Sequence, residues 1–157
     1  MKKDELTRYI RRCQTAFDKP DEECDYAWKW YGTLRFQWPP TRNRARSLFY
    51  RLLRNMKKEV EPHFLNWFAV FEHGRWDKEI RIHVLLGGSL FSFKEYWILY
   101  WWGLGGGKAL IFDYRPGVFA RYVLKEARAE SYFEVATDLC GWGLFEIDHN
   151  EGNDRRR

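Results

Sequence analysis

The sequence predicts an α+β protein: an antiparallel β-sheet of about five strands with flanking helices, covered mainly on one face. Residues 79–88 alternate apolar and polar side chains with the period of a β-strand. Residues 42–60 repeat their apolar side chains with the spacing of an amphipathic helix. Hairpin connections join some strands while helices separate others, and this order is typical of α+β domains.

The first half of the chain contains a helix, a strand, a second helix and a two-stranded hairpin. They are predicted over residues 3–17, 30–36, 42–60, 67–72 and 79–88. Pro20 interrupts the first helix. Pro39 and Pro40 end the first strand, and Thr41 is placed to cap the second helix.

The second half contains a helix, a strand, a helix and two short strands. They are predicted over residues 93–102, 108–114, 118–129, 132–137 and 143–147. Ser92 is placed to cap the first of these helices. The glycine-rich stretch 103–107 precedes a strand and not a helix, so it is interpreted as a turn and not as a phosphate-binding loop.

The length of 157 residues predicts one domain, over 1–148, with a helical N-terminal extension at 1–27 and a polar, mobile tail at 149–157. An aromatic content of 19% excludes a disordered chain. No apolar run is long enough to cross a membrane, and no signal peptide is visible. The three cysteines have neither zinc spacing nor a disulfide framework. These features predict a cytoplasmic protein without a membrane partner.

Positive charge is concentrated in residues 1–60, which carry 15 Lys and Arg against 8 Asp and Glu, within a net charge of +5. Helix 42–60 has seven basic residues and no acid before Glu59: Arg42, Arg44, Arg46, Arg51, Arg54, Lys57 and Lys58. Like charges without acidic partners one turn away repel each other. This pattern favours a polyanionic partner, nucleic acid first, and the alternative is an ordinary solvated helix face.

The strand 79–88 contains the first candidate site residues. Arg81 and His83 share one face of this strand, opposite a row of aliphatic side chains. Burying such groups is unfavourable without partners. His83 could hold a metal ion with Glu72 of the neighbouring strand, and imidazole plus carboxylate suits Mn²⁺ or Mg²⁺. A lone histidine on a strand is more often structural.

The helix 118–129 contains the second group of candidates, because Tyr122, Lys125 and Glu126 share one face. A tyrosine hydroxyl is a poor nucleophile unless a base or a cation assists it. Lys125 could supply part of that positive field. The alternative is an exposed helix whose tyrosine packs at the edge of the core.

Three stretches, taken in this order, resemble the HUH endonuclease superfamily, the rolling-circle replication initiators and their relatives. They are Tyr-Gly-Thr-Leu-Arg-Phe at 31–36, Phe-Glu at 71–72 followed by Arg-Ile-His-Val-Leu-Leu at 81–86, and Tyr-Val-Leu-Lys at 122–125. They are similar to the threonine-bearing strand, the His-hydrophobic-His strand and the Tyr-x-x-Lys helix of that superfamily. The resemblance covers about residues 28–138.

The resemblance implies a sequence- or structure-specific endonuclease and strand transferase for single-stranded DNA that initiates rolling-circle replication, for example of a plasmid. Tyr122 would attack the scissile phosphate, stay linked to the 5′ phosphate and release a 3′-OH. Lys125 and Arg81 would be the other catalytic residues. Mn²⁺ or Mg²⁺ would be held by His83, Glu72 and Glu126.

The implied partners are single-stranded or hairpin origin DNA and, for duplex opening, a host helicase or polymerase. The DNA backbone would lie against Arg35 and the seven basic residues of helix 42–60. Its bases would stack on tryptophans. The candidates are Trp28, Trp30, Trp38, Trp67 and Trp76.

One departure from the superfamily pattern leaves three outcomes open. Arg81 stands where the first histidine of the pair is expected, and an arginine cannot ligate a metal. Either His83, Glu72 and Glu126 hold a weakly bound metal, or Arg81 grips the phosphate directly with its guanidinium. The third outcome is a nucleic-acid-binding module that has lost cleavage. An RNA-binding sheet domain ranks last, because no aromatic RNA-binding signature is present.

Overall fold

A computed structural model describes residues 1–18, 28–60, 65–88 and 94–137. These residues form four helices and five strands, which confirms the α+β class. The elements are α1 (Lys3–Asp18), β1 (Trp28–Phe36), α2 (Arg42–Val60), β2 (Leu65–His73), β3 (Ile80–Gly88), α3 (Lys94–Gly103), β4 (Gly106–Asp113), α4 (Val118–Glu126) and β5 (Tyr132–Thr137).

The five strands form one antiparallel sheet in the order β4-β1-β3-β2-β5. The strand β3 lies at the centre, between β1 and β2. In its register His83 lies opposite Thr33 of β1 and opposite Val70 of β2. Glu72 of β2 lies opposite Arg81 on one side and Phe133 of β5 on the other. The centre of the sheet therefore brings polar side chains from three strands together.

Helices cover both faces of the sheet. One face packs against α2 and α3 through a cluster that includes Phe49, Ile82 and Trp101. The other face packs against α1 and α4 through a cluster that includes Ile10 and Phe119, and it is called the α1/α4 face below. The prediction of a sheet covered mainly on one face is wrong, because the second face also carries apolar side chains, namely Phe68, Val70, Leu85 and Phe133.

The predicted element boundaries agree with the structure to within a few residues. The ranges 42–60 and 132–137 are confirmed as α2 and β5. The helix predicted over 118–129 ends three residues earlier, at Glu126, because Ala127 adopts an extended backbone. The strand β4 begins at Gly106, since the predicted glycine turn already pairs with Phe36. The strand predicted over 143–147, the Ser92 cap and the tail lie outside the described residues.

Gly32 allows β1 and β4 to approach each other closely. A Cβ atom at this position would lie 1.7 Å from the carbonyl oxygen of Leu110 and 3.0 Å from the Cα of Ile111. Both are backbone atoms, so no side chain can move aside to make room. Thr33 follows Gly32 in β1. The close approach of β1 and β4 therefore also fixes the position of the backbone at Thr33.

We expect Gly32→Ala to lower the free energy of unfolding by about 2 kcal/mol or more, because the added methyl group must push the two backbones apart. Urea denaturation followed by circular dichroism measures this change. Gly103→Ala is the matched control, since a Cβ there would meet nothing within 4 Å. Equal stability of the two variants would contradict the close approach.

Candidate active site

Four polar side chains from four elements form a continuous chain of hydrogen bonds. The Tyr122 Oη atom of α4 lies 2.6 Å from Thr33 Oγ1 of β1. Thr33 Oγ1 lies 3.0 Å from Nδ1 of His83 in β3, and His83 Nε2 lies 2.8 Å from Oε1 of Glu72 in β2. We call these four residues the Tyr–Thr–His–Glu chain. It joins residues that are far apart in the sequence.

The sheet register and the amphipathic α4 together build this chain. Thr33 and His83 are direct cross-strand partners, so their side chains point to the same face of the sheet. The helix α4 buries Phe119, Ala120 and Val123 against that face. Tyr122 is consequently held beside the sheet and half-buried, with its hydroxyl above Thr33.

Aromatic rings surround the Tyr122 ring on the side away from Glu72. The ring centroid of Tyr122 lies 5.2 Å from that of Tyr31, 5.9 Å from that of Phe112 and 6.3 Å from that of His83. Edge-to-face contacts of this kind stabilise a fixed ring orientation. Phe112 is 40% exposed, so this end of the chain reaches the protein surface.

Glu72 ends the chain as a fully buried and fully partnered carboxylate. Its Oε2 atom accepts hydrogen bonds from the Arg128 backbone N–H at 3.1 Å, from Arg128 Nε at 2.8 Å and from Ser131 Oγ at 2.8 Å. Burial raises the pKa of this carboxyl, but the hydrogen bonds from His83, Arg128 and Ser131 outweigh it and lower the pKa to about 2. Glu72 is therefore ionised at neutral pH.

The ionised Glu72 fixes the direction of the hydrogen bond that it shares with His83. A carboxylate only accepts, so His83 Nε2 must carry a proton and donate it to Glu72. In the neutral ring Nδ1 is then an acceptor, and the Thr33 hydroxyl donates to it. The Thr33 oxygen in turn accepts from the Tyr122 hydroxyl. A proton can therefore move from the phenol to the imidazole in two short steps, and Glu72 stabilises the imidazolium that forms.

The phenol needs such a base to become a nucleophile. Burial raises the pKa of Tyr122 above its ordinary value of 10, and the charge of Glu126 raises it further. The hydrogen bond with Thr33 and the charge of Arg35 act in the opposite direction but do not cancel the increase. At neutral pH the hydroxyl of Tyr122 is protonated, and His83 is the base that it reaches through Thr33.

The predicted metal ligands do not fit a divalent ion in this arrangement. Both ring nitrogens of His83 and both carboxylate oxygens of Glu72 are already hydrogen-bonded, and the two side chains are fully buried. Across the described ranges, no group of three or more His, Cys, Asp or Glu side chains is arranged to hold a metal ion. Glu126 lies near Tyr122, where its charge affects the pKa of the phenol. The use of Mn²⁺ or Mg²⁺ stays a prediction.

Arg35 and Arg81 lie on the same sheet face as the Tyr–Thr–His–Glu chain. Arg35 is two residues from Thr33 in β1, and Arg81 is two residues from His83 in β3. The Arg81 side chain is 17% exposed, and its Nε donates to Glu79 Oε1 at 3.3 Å. Arg35 is 41% exposed and lies 4.0 Å from the same carboxylate oxygen. Lys125 is exposed on α4, and within the described part of the chain no hydrogen bond joins it to Tyr122. The predicted proximity of Arg81 and His83 is confirmed.

The basic residues of α2 lie on the other side of the sheet from Tyr122, since α2 packs against the opposite face. Arg46 hydrogen-bonds to Glu134 of β5, and Arg42 lies 3.6 Å from the same carboxylate. The sequence analysis found no acidic partner within the helix, and the structure supplies one from a strand. The other five are exposed and make no ion pair with any described residue: Arg44, Arg51, Arg54, Lys57 and Lys58.

The tryptophans proposed for base stacking divide into two groups. Three of them are more than 90% buried and pack in the core: Trp28, Trp30 and Trp67. These three are not available for stacking, because the period-two pattern that buries a strand residue also removes it from solvent. Trp38 and Trp76 are 81% and 75% exposed and remain accessible.

Sequence reasoning missed two partners of Glu72, namely Arg128 and Ser131. Both lie between α4 and β5: Arg128 falls within the range 118–129 that was predicted as a helix, and Ser131 falls outside every predicted element. It also gave no role to Asp77, whose carboxylate accepts a hydrogen bond from Arg128 Nη1 at 2.6 Å. A buried glutamate in a strand does signal that a cation must lie nearby, but only the tertiary structure identifies which one.

Comparison of the chain with protein-family models, with curated proteins and with solved structures gives no match. In the part of the chain that the structure describes, no helix is long and apolar enough to cross a membrane. Fold and site together define an α+β protein with a buried Tyr–Thr–His–Glu chain that reaches the surface at its phenol end. Its function has to be inferred from these groups.

We expect the free energy of unfolding to fall by about 3 kcal/mol as the pH is lowered from about 4.5 to 2. The pKa of Glu72 is about 2 in the fold and 4.5 for an unperturbed glutamate. A lowered pKa stabilises the fold above pH 4.5, and protonation of the folded carboxyl near pH 2 removes this stabilisation. Urea denaturation at a series of pH values measures the change.

Glu72→Gln should be less stable than wild type at pH 7. Its free energy of unfolding should also change less between pH 4.5 and 2 (the acid limb of the stability curve), because the uncharged amide cannot titrate. Glu95→Gln, an exposed residue of α3, is the matched control and should keep the wild-type acid limb. A wild-type stability that does not change between pH 4.5 and 2 would contradict the ionised state of Glu72.

Proposed function

We propose that the protein is a single-stranded DNA nicking and joining enzyme of the HUH endonuclease type, which initiates rolling-circle replication of a plasmid or similar element. The observation that supports this most directly is the Tyr–Thr–His–Glu chain. It links the tyrosine, the threonine and the histidine that carry the sequence resemblance by hydrogen bonds of 2.6 and 3.0 Å. Three separate motifs thus contribute to one arrangement that can activate a phenol.

The first step is activation of the nucleophile. As Tyr122 Oη attacks the scissile phosphorus, its proton passes to Thr33 Oγ1, and the Thr33 proton passes to His83 Nδ1. The imidazolium that forms stays hydrogen-bonded to ionised Glu72. General-base assistance of this kind contributes roughly 10²- to 10⁴-fold to a rate. It also explains why a phenol with a raised pKa can react at neutral pH.

The second step is displacement. The new bond joins Tyr122 Oη to phosphorus, the bond between phosphorus and the 3′ oxygen breaks, and the 3′ oxygen takes a proton from water. Arg35 and Arg81 lie on the same face and supply positive charge for the phosphoryl oxygens. Return of the imidazolium proton through Thr33 allows a 3′-OH to attack the phosphotyrosine and rejoin the strand.

The DNA would approach the phenol from the surface beside β4. Phe112 and Tyr31 flank the Tyr122 ring, and Phe112 is partly exposed. An exposed ring next to a scissile phosphate offers a stacking surface for the neighbouring base. No step of this mechanism is routed through a metal, because both ring nitrogens of His83 and both oxygens of Glu72 are hydrogen-bonded within the fold. Assays in Mn²⁺, in Mg²⁺ and in a chelator test this part of the proposal.

Tyr122→Phe should abolish the covalent protein–DNA adduct while DNA binding persists, because only the attacking oxygen is removed. The measurement is a denaturing gel after incubation with a labelled, origin-like hairpin oligonucleotide. Tyr50→Phe, on α2 across the sheet, is the matched control and should form the adduct normally. An adduct that survives Tyr122→Phe would assign the nucleophile to another tyrosine, Tyr114 or Tyr132 first.

Thr33→Val should slow adduct formation about 10²- to 10⁴-fold, because it removes the hydroxyl that carries the proton and keeps the side-chain shape. It should also destabilise the fold by about 1–3 kcal/mol, since Tyr122 and His83 each lose a buried partner. Thr33→Ser retains the hydroxyl and should retain most of the rate. Single-turnover gels measure the rate, and equal rates for the valine and serine variants would refute the relay.

A second candidate function is single-stranded nucleic-acid binding without cleavage. It is favoured by the complete hydrogen bonding of His83 and Glu72 and by Arg81 in place of a metal-binding histidine. Under this function no adduct forms in Mn²⁺ or Mg²⁺ at any concentration. Binding would still be salt-dependent through the exposed basic residues of α2.

Removing one exposed charge of α2 distinguishes a nucleic-acid contact from a solvated face. Arg51→Ala should weaken oligonucleotide binding and reduce the slope of log K against log salt by about 0.7. Arg46→Ala is the matched control on the same helix and should change the slope less, because Glu134 already holds its guanidinium. Fluorescence anisotropy at several salt concentrations gives the slopes, and an unchanged slope for Arg51→Ala would remove α2 from the interface.

A further inference from the structure

A pocket with charged and aromatic lining side chains lies at the β2–β5 end of the sheet, apart from the Tyr122 hydroxyl. Its volume is about 480 Å³, within the range of about 300–1,000 Å³ typical of small-ligand sites. The lining side chains come from the N-terminus, from α2 and from the ends of β2 and β5. They include Lys2, Arg42, His73, Arg75, Ser131 and Tyr132. No step of the proposed mechanism uses this pocket.

The charge of the lining favours an anion. Lys2, Arg42 and Arg75 line the pocket with one acidic residue, Glu130, and a second carboxylate, Glu134, lies 3.6 Å from Arg42. The guanidinium of Arg42 also lies 5.4 Å from the centre of the Tyr132 ring, and this ring is 46% exposed. A cationic rim next to an open aromatic ring is the combination that binds the phosphate and the base of a nucleotide.

His73 contributes an almost fully buried side chain to the wall of the pocket. His73 lines the pocket and is 92% buried, and its Nε2 has no hydrogen-bond partner among the described residues. The nearest acidic atom, Glu134 Oε2, is 3.9 Å away, which is too long for a hydrogen bond.

We propose that this pocket binds one nucleotide of the single-stranded DNA substrate, with its phosphate between Arg75, Lys2 and Arg42 and its base against Tyr132. The inference rests on the proposed function. The pocket lies at the outer edge of the sheet, several strands from the phenol, and adjacent strands are about 4.8 Å apart. The nucleotide in the pocket is thus a different one from the nucleotide that Tyr122 attacks.

One hydroxyl connects this pocket to the Tyr–Thr–His–Glu chain. Ser131 lines the pocket, and its Oγ donates to Glu72 Oε2 at 2.8 Å. A nucleotide in the pocket therefore touches a residue that holds the carboxylate of the chain. The DNA nucleotide in the pocket would therefore contact Ser131, the same residue that orients Glu72.

Isothermal calorimetry with thymidine 5′-monophosphate, thymidine and inorganic phosphate tests this site on the full chain. We expect the nucleotide to bind at least about tenfold more tightly than thymidine, because a charged group contributes a charge-assisted hydrogen bond. Arg75→Ala should weaken nucleotide binding about tenfold. Arg115→Ala, an exposed arginine away from the pocket, is the matched control and should bind as wild type does.

Tyr122→Phe locates the binding event, since the phenol is not part of the pocket. Nucleotide binding that persists in this variant supports the pocket, also if no covalent adduct ever forms in the nicking assay. Binding that is lost in Tyr122→Phe would place the nucleotide at the phenol and overturn the inference. The inference is equally overturned if the nucleotide does not bind at millimolar concentration, if thymidine binds as tightly, or if Arg75→Ala and Arg115→Ala behave alike.

Discussion

The hydrogen bonds that hold the carboxylate of Glu72 are the interaction on which the rest of the site depends. A charge that is fully removed from water is strongly unfavourable unless each lone pair finds a donor. Here His83 supplies one donor, and Arg128 and Ser131 supply the others. Because the carboxylate stays ionised, His83 Nε2 donates to it, and with a neutral ring the Thr33 hydroxyl donates to Nδ1 and accepts from the phenol of Tyr122. A single buried charge thus orders side chains from three strands and one helix.

The two-sided packing of the sheet makes this possible. If the α1/α4 face were open to solvent, water would compete for each donor and the order of the hydrogen bonds would be lost. The helices α1 and α4 cover the face with Ile10, Phe119 and Val123, which are almost fully buried. The phenol end, beside Phe112, remains partly accessible. The fold therefore combines a dry interior for proton transfer with an opening where a phosphate could enter.

Much of the fold could be predicted from local sequence patterns, because period-two and helical spacing record which side chains are buried. The range of α2 and the common face of Arg81 and His83 were obtained in this way. The second covered face was not, since α1 and α4 contribute to it from opposite ends of the sequence. For the site, motif order correctly indicated that Tyr122 and His83 lie close together. Arg128 and Ser131 could not be found, because a turn residue carries no periodic signal and its partner is set by tertiary contacts.

The absence of a spare donor or acceptor at Glu72, Thr33 and His83 also constrains how this protein can evolve. Exchange of any one of them for a side chain that lacks its hydrogen-bonding group leaves an orphaned polar atom in the interior, so a lineage can lose or rebuild this arrangement only through concerted changes. Relatives should accordingly fall into two sequence classes, one that keeps all three residues and one that replaces them together by apolar side chains. Intermediate combinations should be rare, whatever reaction the family performs.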